Sequence, residues 1–154
     1  MEMPKPGEGH VRIARLAGEW AGAEILHPSP NTPDGDRRFG RLSARVILDG
    51  FFVVQDYTEE KDGVVVYAGH AVFGHDDKRD APTMNWFDSM GGQYSEPAVG
   101  TWDGDAVTFV NEGPWGTSRC TYELRGDDEL LFELEVAADG EEFHGYLDGT
   151  YQRV

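Results

Sequence analysis

From Trp20 onward the chain alternates short runs rich in β-branched and aromatic residues with turn signals. In several runs the apolar positions recur at every second residue. Between Phe39 and Leu48, for instance, Leu42, Ala44, Val46 and Leu48 share one alternation, with Ser43, Arg45 and Ile47 on the other. A strand patterned in this way buries one face and wets the other. Strands are predicted at 20–27, 39–48, 51–60, 64–75 and 83–88, then at 99–103, 106–113, 117–125, 129–137 and 143–154. Asp-Gly pairs beginning at Asp34, Asp49, Asp62, Asp103 and Asp139 fall between or beside these runs. Both residue types tolerate the positive φ of tight hairpin turns. About ten consecutive strands with no interleaved helices predict an all-β, up-and-down antiparallel meander, and its closure into a single β-barrel would remove the exposed edges. Glycines within or at the ends of strands (Gly22, Gly69, Gly74, Gly100, Gly145 and Gly149) favour closure over a flat sandwich, because barrel corners are bends that tolerate them.

Ahead of the strands, residues 1–9 lack apolar periodicity and read as a mobile lead-in, with one domain over 10–154. Val11, Ile13, Ala14 and Leu16 fit a short helix from His10 to Ala17, which needs something to pack on. The segment Pro28 to Arg38, with three prolines and an Asp-Gly, reads as a long loop that could flap over an open end. At 154 residues one domain can bury a core without staples. A formal net charge of −16 repels phosphate backbones and anionic headgroups, so neither nucleic acid nor a membrane is an expected partner. Cys120 is the one cysteine, which excludes an internal disulfide. The N-terminus lacks the features of a secretory signal, and a cytoplasmic location is expected. A homodimer is left open.

The stretch Leu16 to Gly22, a helix end followed by Gly-x-Trp, resembles the opening of lipocalin-like barrels, in which the Trp plugs the closed end. The segments Leu48 to Tyr57, Gly69 to Gly74, Met84 to Gly91 and Gly149 to Arg153 resemble, in that order, a bacterial family of such calycin-type barrels known as domain of unknown function 1579. That resemblance implies a fold and no activity. A more distant one, to nitrobindin-like barrels, rests on Gly-x-Trp and a terminal Thr150-Tyr151. Those barrels hold haem through a histidine shortly before that ending, where this chain has Tyr146, with His144 two residues earlier.

The candidate chemistry follows from these placements. If Trp20 plugs the barrel, Glu24 on the same alternation also points inward, with Tyr146, His144 or Arg45 as its partner. His70 lies in an apolar strand, either as a structural histidine at the barrel wall or as a cavity-facing donor or general base. Met84, Trp86, Asp88 and Met90 share one alternation, which makes either ordinary core or a soft wall for an irregular apolar guest; Asp88 is expected to cap the following turn. Gln55 and Tyr57 share an alternation with Phe51 and Val53 and are a further candidate polar contact, Trp115 in a hairpin turn either rims the mouth or covers an edge, and His75 is expected to be solvated. No nucleophile elbow, phosphate loop or dinucleotide fingerprint occurs, and no histidine or cysteine spacing suits a metal. The reading is a barrel that binds a small, largely apolar ligand through Glu24, Gln55, His70, Met84, Trp86, His144 and Tyr146, without a cofactor. The alternatives are a cavity enzyme using Glu24, His70 or Tyr146, and haem held by Tyr146 or His144.

Overall fold

The computed structural model describes residues 1–113 and 116–154; Trp115 lies outside the described residues. Ten strands follow one another: β1 (Gly18–Leu26), β2 (Asp36–Ile47), β3 (Phe52–Lys61), β4 (Val64–Asp76) and β5 (Ala81–Asp88), then β6 (Ala98–Asp103), β7 (Ala106–Gly113), β8 (Gly116–Arg125), β9 (Glu129–Ala137) and β10 (His144–Arg153). Each pairs antiparallel with its chain neighbours, and β1 pairs with β10, so the meander closes into a barrel. The seam between β5 and β6 is the shortest, held by Thr83–Val99 and Met84–Ala98. The glycines of the Asp-Gly pairs at Asp34, Asp49, Asp62, Asp103 and Asp139 have positive φ, whereas Gly149 of Asp148-Gly149 lies within β10. At the β3–β4 hairpin Asp62 (φ 51°) and Gly63 (φ 79°) are both left-handed, the combination whose twist matches that of the flanking strands.

One end of the barrel is closed by the N-terminal segment. Helix α1 (Glu8–Ile13) runs into a 3-10 turn over Ala14–Leu16. It begins two residues before the expected start because His10 Nδ1 accepts the backbone N–H of Gly7 at 3.0 Å, closing the first turn. Six residues cannot hold a helix in water, and the packing supplies what length does not. Ile13 and Leu16 are fully buried in the core. Arg12 donates to the Gly104 carbonyl at 2.6 Å and its guanidinium lies 4.3 Å from the Trp102 ring, while Arg15 pairs with Asp105 at 2.8 Å. His75, expected in solvent, is instead packed against His10, since α1 covers the end of β4. Trp20 plugs the barrel above this segment. It is 1% exposed, donates from Nε1 to the Leu16 carbonyl at 3.2 Å, and lies 4.2 Å under the Arg153 guanidinium.

The closed half is a packed core built from Val53, Phe73, Val107, Phe109, Leu124 and Leu130. Phe73 meets Phe109 and Tyr122 ring to ring at 5.8 and 5.5 Å. The opposite mouth is bordered by the loop between β1 and β2. That loop is shorter than expected, because Asp36, Arg37 and Arg38 pair with Leu26, Ile25 and Glu24 as the start of β2. Among the described residues no helix is long and apolar enough to cross a membrane.

Candidate functional site

Side chains stop filling the barrel above the aromatic core, leaving a cavity of about 440 Å³. Its depth is lined by Leu42, Met84, Cys120, Tyr122, Phe132 and Leu134. Higher up, Tyr57, Tyr67, Trp86, Tyr94 and Tyr146 form an aromatic wall. Polar groups join them: Arg38, Gln55, Glu59, Asp88, Asn111 and Ser118. Cys120 belongs to the apolar lining rather than to any nucleophilic chemistry, since burial pushes its thiol up to about 12.

Two carboxylates organise the wall. Glu24 is 1% exposed, and its Oε2 accepts both the Tyr57 and the Tyr151 hydroxyls at 2.6 Å. Its Oε1 is buried without a partner. Burial raises the Glu24 carboxyl from 4.5 to about 6, against the opposing pull of the two tyrosine donors. Burial also pushes both phenols up, so they remain protonated donors. Small residues make room for this group. A Cβ at Gly40 would stand 2.7 Å from both the Glu24 carboxyl and the Tyr151 ring, and one at Gly149 would collide with the Tyr151 hydroxyl. Gly40→Ala is therefore expected to cost about 1–3 kcal/mol by overpacking, read as a lower urea midpoint at unchanged slope.

Asp88 is the second organiser. Its Oδ2 accepts Tyr67 Oη at 2.9 Å and Trp86 Nε1 at 3.1 Å, while Oδ1 accepts the backbone N–H groups of Met90 and Gly92. Burial pushes the Asp88 carboxyl up, but the four donors prevail and hold it below its ordinary value. The residue thus caps its turn, as expected, and also fixes two rings of the cavity wall. On the neighbouring strands, Arg38 of β2 donates from Nε to Asp36 at 2.8 Å and from Nη1 to Glu59 of β3 at 3.0 Å. Asp36 is pushed down to about 2, chiefly by its hydrogen bond to Lys61 and then by that to Arg38. Burial raises the Glu59 carboxyl.

Of the seven residues singled out in the sequence, Gln55, Met84, Trp86 and Tyr146 line the cavity. Glu24 lies behind Tyr57 and Tyr151, which do line it. Its partners are these tyrosines rather than Tyr146, His144 or Arg45, because Tyr57 and Tyr151 share the inward alternation of β3 and β10. His70 is corrected to the outside of the barrel, where it pairs with Asp56 at 2.8 Å. Tyr67, Gly69, Ala71 and Phe73 take the inward positions of β4, so the residue between Gly69 and Ala71 must point out. His144 is likewise corrected to an exposed position at the start of β10, away from the lining. Tyr146 reaches the mouth through a register shift between Gly145 and Leu147. Among the described residues no three His, Cys, Asp or Glu side chains converge as a metal site.

Arg38, Glu59, Tyr67, Tyr122 and Tyr151 were not anticipated as site residues. Two of them were within reach of the pattern. Arg38 continues the alternation of Leu42 and Gly40, and Tyr67 continues that of Phe73 and Ala71. The apolar outer face of β4, with Val66, Ala68 and Val72, masked the second of these.

Known structures share this architecture. Rv2717c from M. tuberculosis matches with a TM-score of 0.73 at 15% identity, over 96% of this chain and 98% of its own. The S-type phycobiliprotein lyase CPES from Guillardia theta matches with a TM-score of 0.65 at 8% identity, over 97% of this chain and 98% of its own. At these identities the likeness is one of fold. Among curated proteins no match to the chain is found. A family model described as "Protein of unknown function (DUF1579)" matches residues 5–153, and the chain, with its closed barrel, plugging tryptophan and open cavity, belongs to that family.

Proposed function

We propose that this protein binds a small, largely apolar molecule inside its barrel. The observation that carries this reading is the cavity of about 440 Å³, walled by rings and methionine above a core that is otherwise tightly filled. Its size falls within the roughly 300–1,000 Å³ of small-molecule sites, and its charged groups, Arg38, Glu59 and Asp88, are held in place by hydrogen bonds before any ligand arrives. Pre-ordered walls of this kind lower the entropy lost on binding. The likeness to a phycobiliprotein lyase supports a barrel that accommodates a guest, without naming one.

An acid–base role for Glu24 has one observation in its favour, the raised carboxyl, but Tyr57 and Tyr151 stand between that carboxyl and the cavity. Haem suits the lining poorly. His144 lies outside, Tyr146 is 37% exposed at the mouth, and the one guanidinium among the described lining residues is already held by Asp36 and Glu59, so propionates would meet carboxylates.

The test is native mass spectrometry of the protein purified from its own host, together with titration of a neutral solvatochromic dye. Retained mass that disappears in Ser118→Trp, which fills the cavity from the wall of β8, is the expected result. A bare chain mass combined with no dye binding would overturn the reading.

A further inference from the structure

We infer that the ligand carries a positively charged ammonium group on its apolar body, held between the aromatic wall and the carboxylates of the cavity. This rests on the proposed binding function and concerns which ligand the cavity selects.

The hydrogen-bond bookkeeping of the wall points that way. At neutral pH an ionised carboxylate only accepts. The hydroxyls of Tyr57 and Tyr151 are therefore donated to Glu24, and the Tyr67 hydroxyl and Trp86 indole N–H to Asp88. Four ring donors at the cavity are thus directed at two acids. The phenol oxygens keep only their acceptor lone pairs for a guest. Arg38, which would otherwise attract an anion, is pinned by Asp36 and Glu59. The described lining residues include one guanidinium and two carboxylates, Glu59 and Asp88, with Glu24 buried just behind and its Oε1 unpartnered.

The ring geometry agrees with the charge. Tyr57 stands 6.1 Å from Tyr67 and 6.5 Å from Trp86, centroid to centroid, so three electron-rich rings border one part of the cavity. The indole is seated against Gly69, where any Cβ would collide with its ring, and its N–H is tied to Asp88. Fixed aromatic faces beside carboxylates favour a desolvated cation. A carboxylate or phosphate ligand would find no free donor among these three rings, only neutral donors such as Gln55, Asn111 and Ser118 elsewhere in the lining, and would be repelled by two acids. The net charge of −16 adds a general preference for cations, which the test must separate from the cavity's own.

Phenylbutylamine, phenylbutanol and phenylbutyrate share one apolar body and differ in the head. Calorimetric titration of the full chain near neutral pH, at about 0.15 M salt to screen distant charge, should rank them amine, alcohol, acid, with each step roughly tenfold in Kd. Glu59→Gln removes one of the two carboxylates of the lining and leaves Arg38 neutralised by Asp36 alone, and should narrow or reverse the amine-over-acid preference. Glu60→Gln removes the same charge from the outside, where Glu60 pairs with Arg41, and should leave the ranking unchanged. Trp86→Leu should weaken the amine about tenfold and the alcohol much less. Equal affinities for amine and alcohol, or an acid that binds as tightly as the amine, would overturn the inference while leaving the cavity's binding role intact. Failure of all three probes also overturns it, and the neutral dye then decides whether the binding role falls too. Equal weakening of the amine by Glu60→Gln and Glu59→Gln would assign the preference to overall charge and end the proposal.

Discussion

Trp20→Ala is expected to lower the unfolding free energy by about 3–5 kcal/mol, a large share of the roughly 5–15 kcal/mol that holds a domain of this kind together. The indole is fully buried, and three separate contacts converge on it. Its body fills the closed end of the barrel, its N–H satisfies the Leu16 carbonyl, and its face carries the Arg153 guanidinium, which also donates to the Ala17 carbonyl at 3.2 Å. Losing the ring opens a void that rigid strands cannot collapse around. It also removes the seat of α1, which is too short to persist alone. Two measurements separate the contributions. Urea denaturation gives the total loss, and Trp20→Phe, which keeps most of the body but not the N–H, should lose about 1–3 kcal/mol. Hydrogen exchange at Val11, whose amide bonds to the Gly7 carbonyl at 3.1 Å, should accelerate further than exchange in β7 or β8. A stability change under 1 kcal/mol for the alanine variant would mean that the N-terminal segment, not Trp20, closes the barrel.

That plug is legible in the sequence because the Gly-x-Trp stretch begins an alternating strand just after a helical one. The same is true of the barrel as a whole. Asp-Gly turns and period-two runs are local signals, and each strand pairs with its neighbour in the chain, so local order is already topology. The site is different because it depends on which strand faces which across the barrel. Glu24 points inward by simple alternation from Trp20, yet its partners come from β3 and β10, 33 and 127 residues away. No local pattern reports such a meeting. His70 misled for another reason: β4 is apolar on both faces, so period two has no contrast to display until Ala71 and Phe73 are known to be buried. Tyr146 depends on a register shift, and a one-residue slip reverses the faces that alternation assigns. Arg38, placed by the sequence in a loop, joined the site because the strand began two residues before it.

Removing both donors from Glu24, in the double variant Tyr57→Phe with Tyr151→Phe, is expected to cost about 3–5 kcal/mol at pH 8 and only about 1–2 kcal/mol at pH 5. The difference follows from the protonation state of one carboxyl. In the wild-type protein Glu24 titrates near 6, against an ordinary value of 4.5. Between those values the native state holds a proton that the unfolded chain has released, so this group's contribution is most favourable below about pH 4.5 and declines as pH rises through 6, by about 2 kcal/mol in all. Other groups, such as the depressed Asp36, act in the opposite sense at lower pH, so the informative quantity is the difference between the protein with Glu24 and the same protein with Glu24→Gln. That difference should slope downward from pH 4.5 to 7 and then flatten. With both hydroxyls gone, the ionised carboxylate has lost the donors that lower its titration point, and the downward slope should extend well beyond pH 6. At pH 5 the neutral acid loses only ordinary hydrogen bonds. In the Glu24→Gln background the two phenylalanines should cost the same at pH 5 and pH 8, since no charge remains to be stranded. Urea denaturation of the four proteins at the two pH values measures all of these quantities. A cost independent of pH in the presence of Glu24 would show that the tyrosines act there as packing alone, and that the carboxylate is satisfied by some other group.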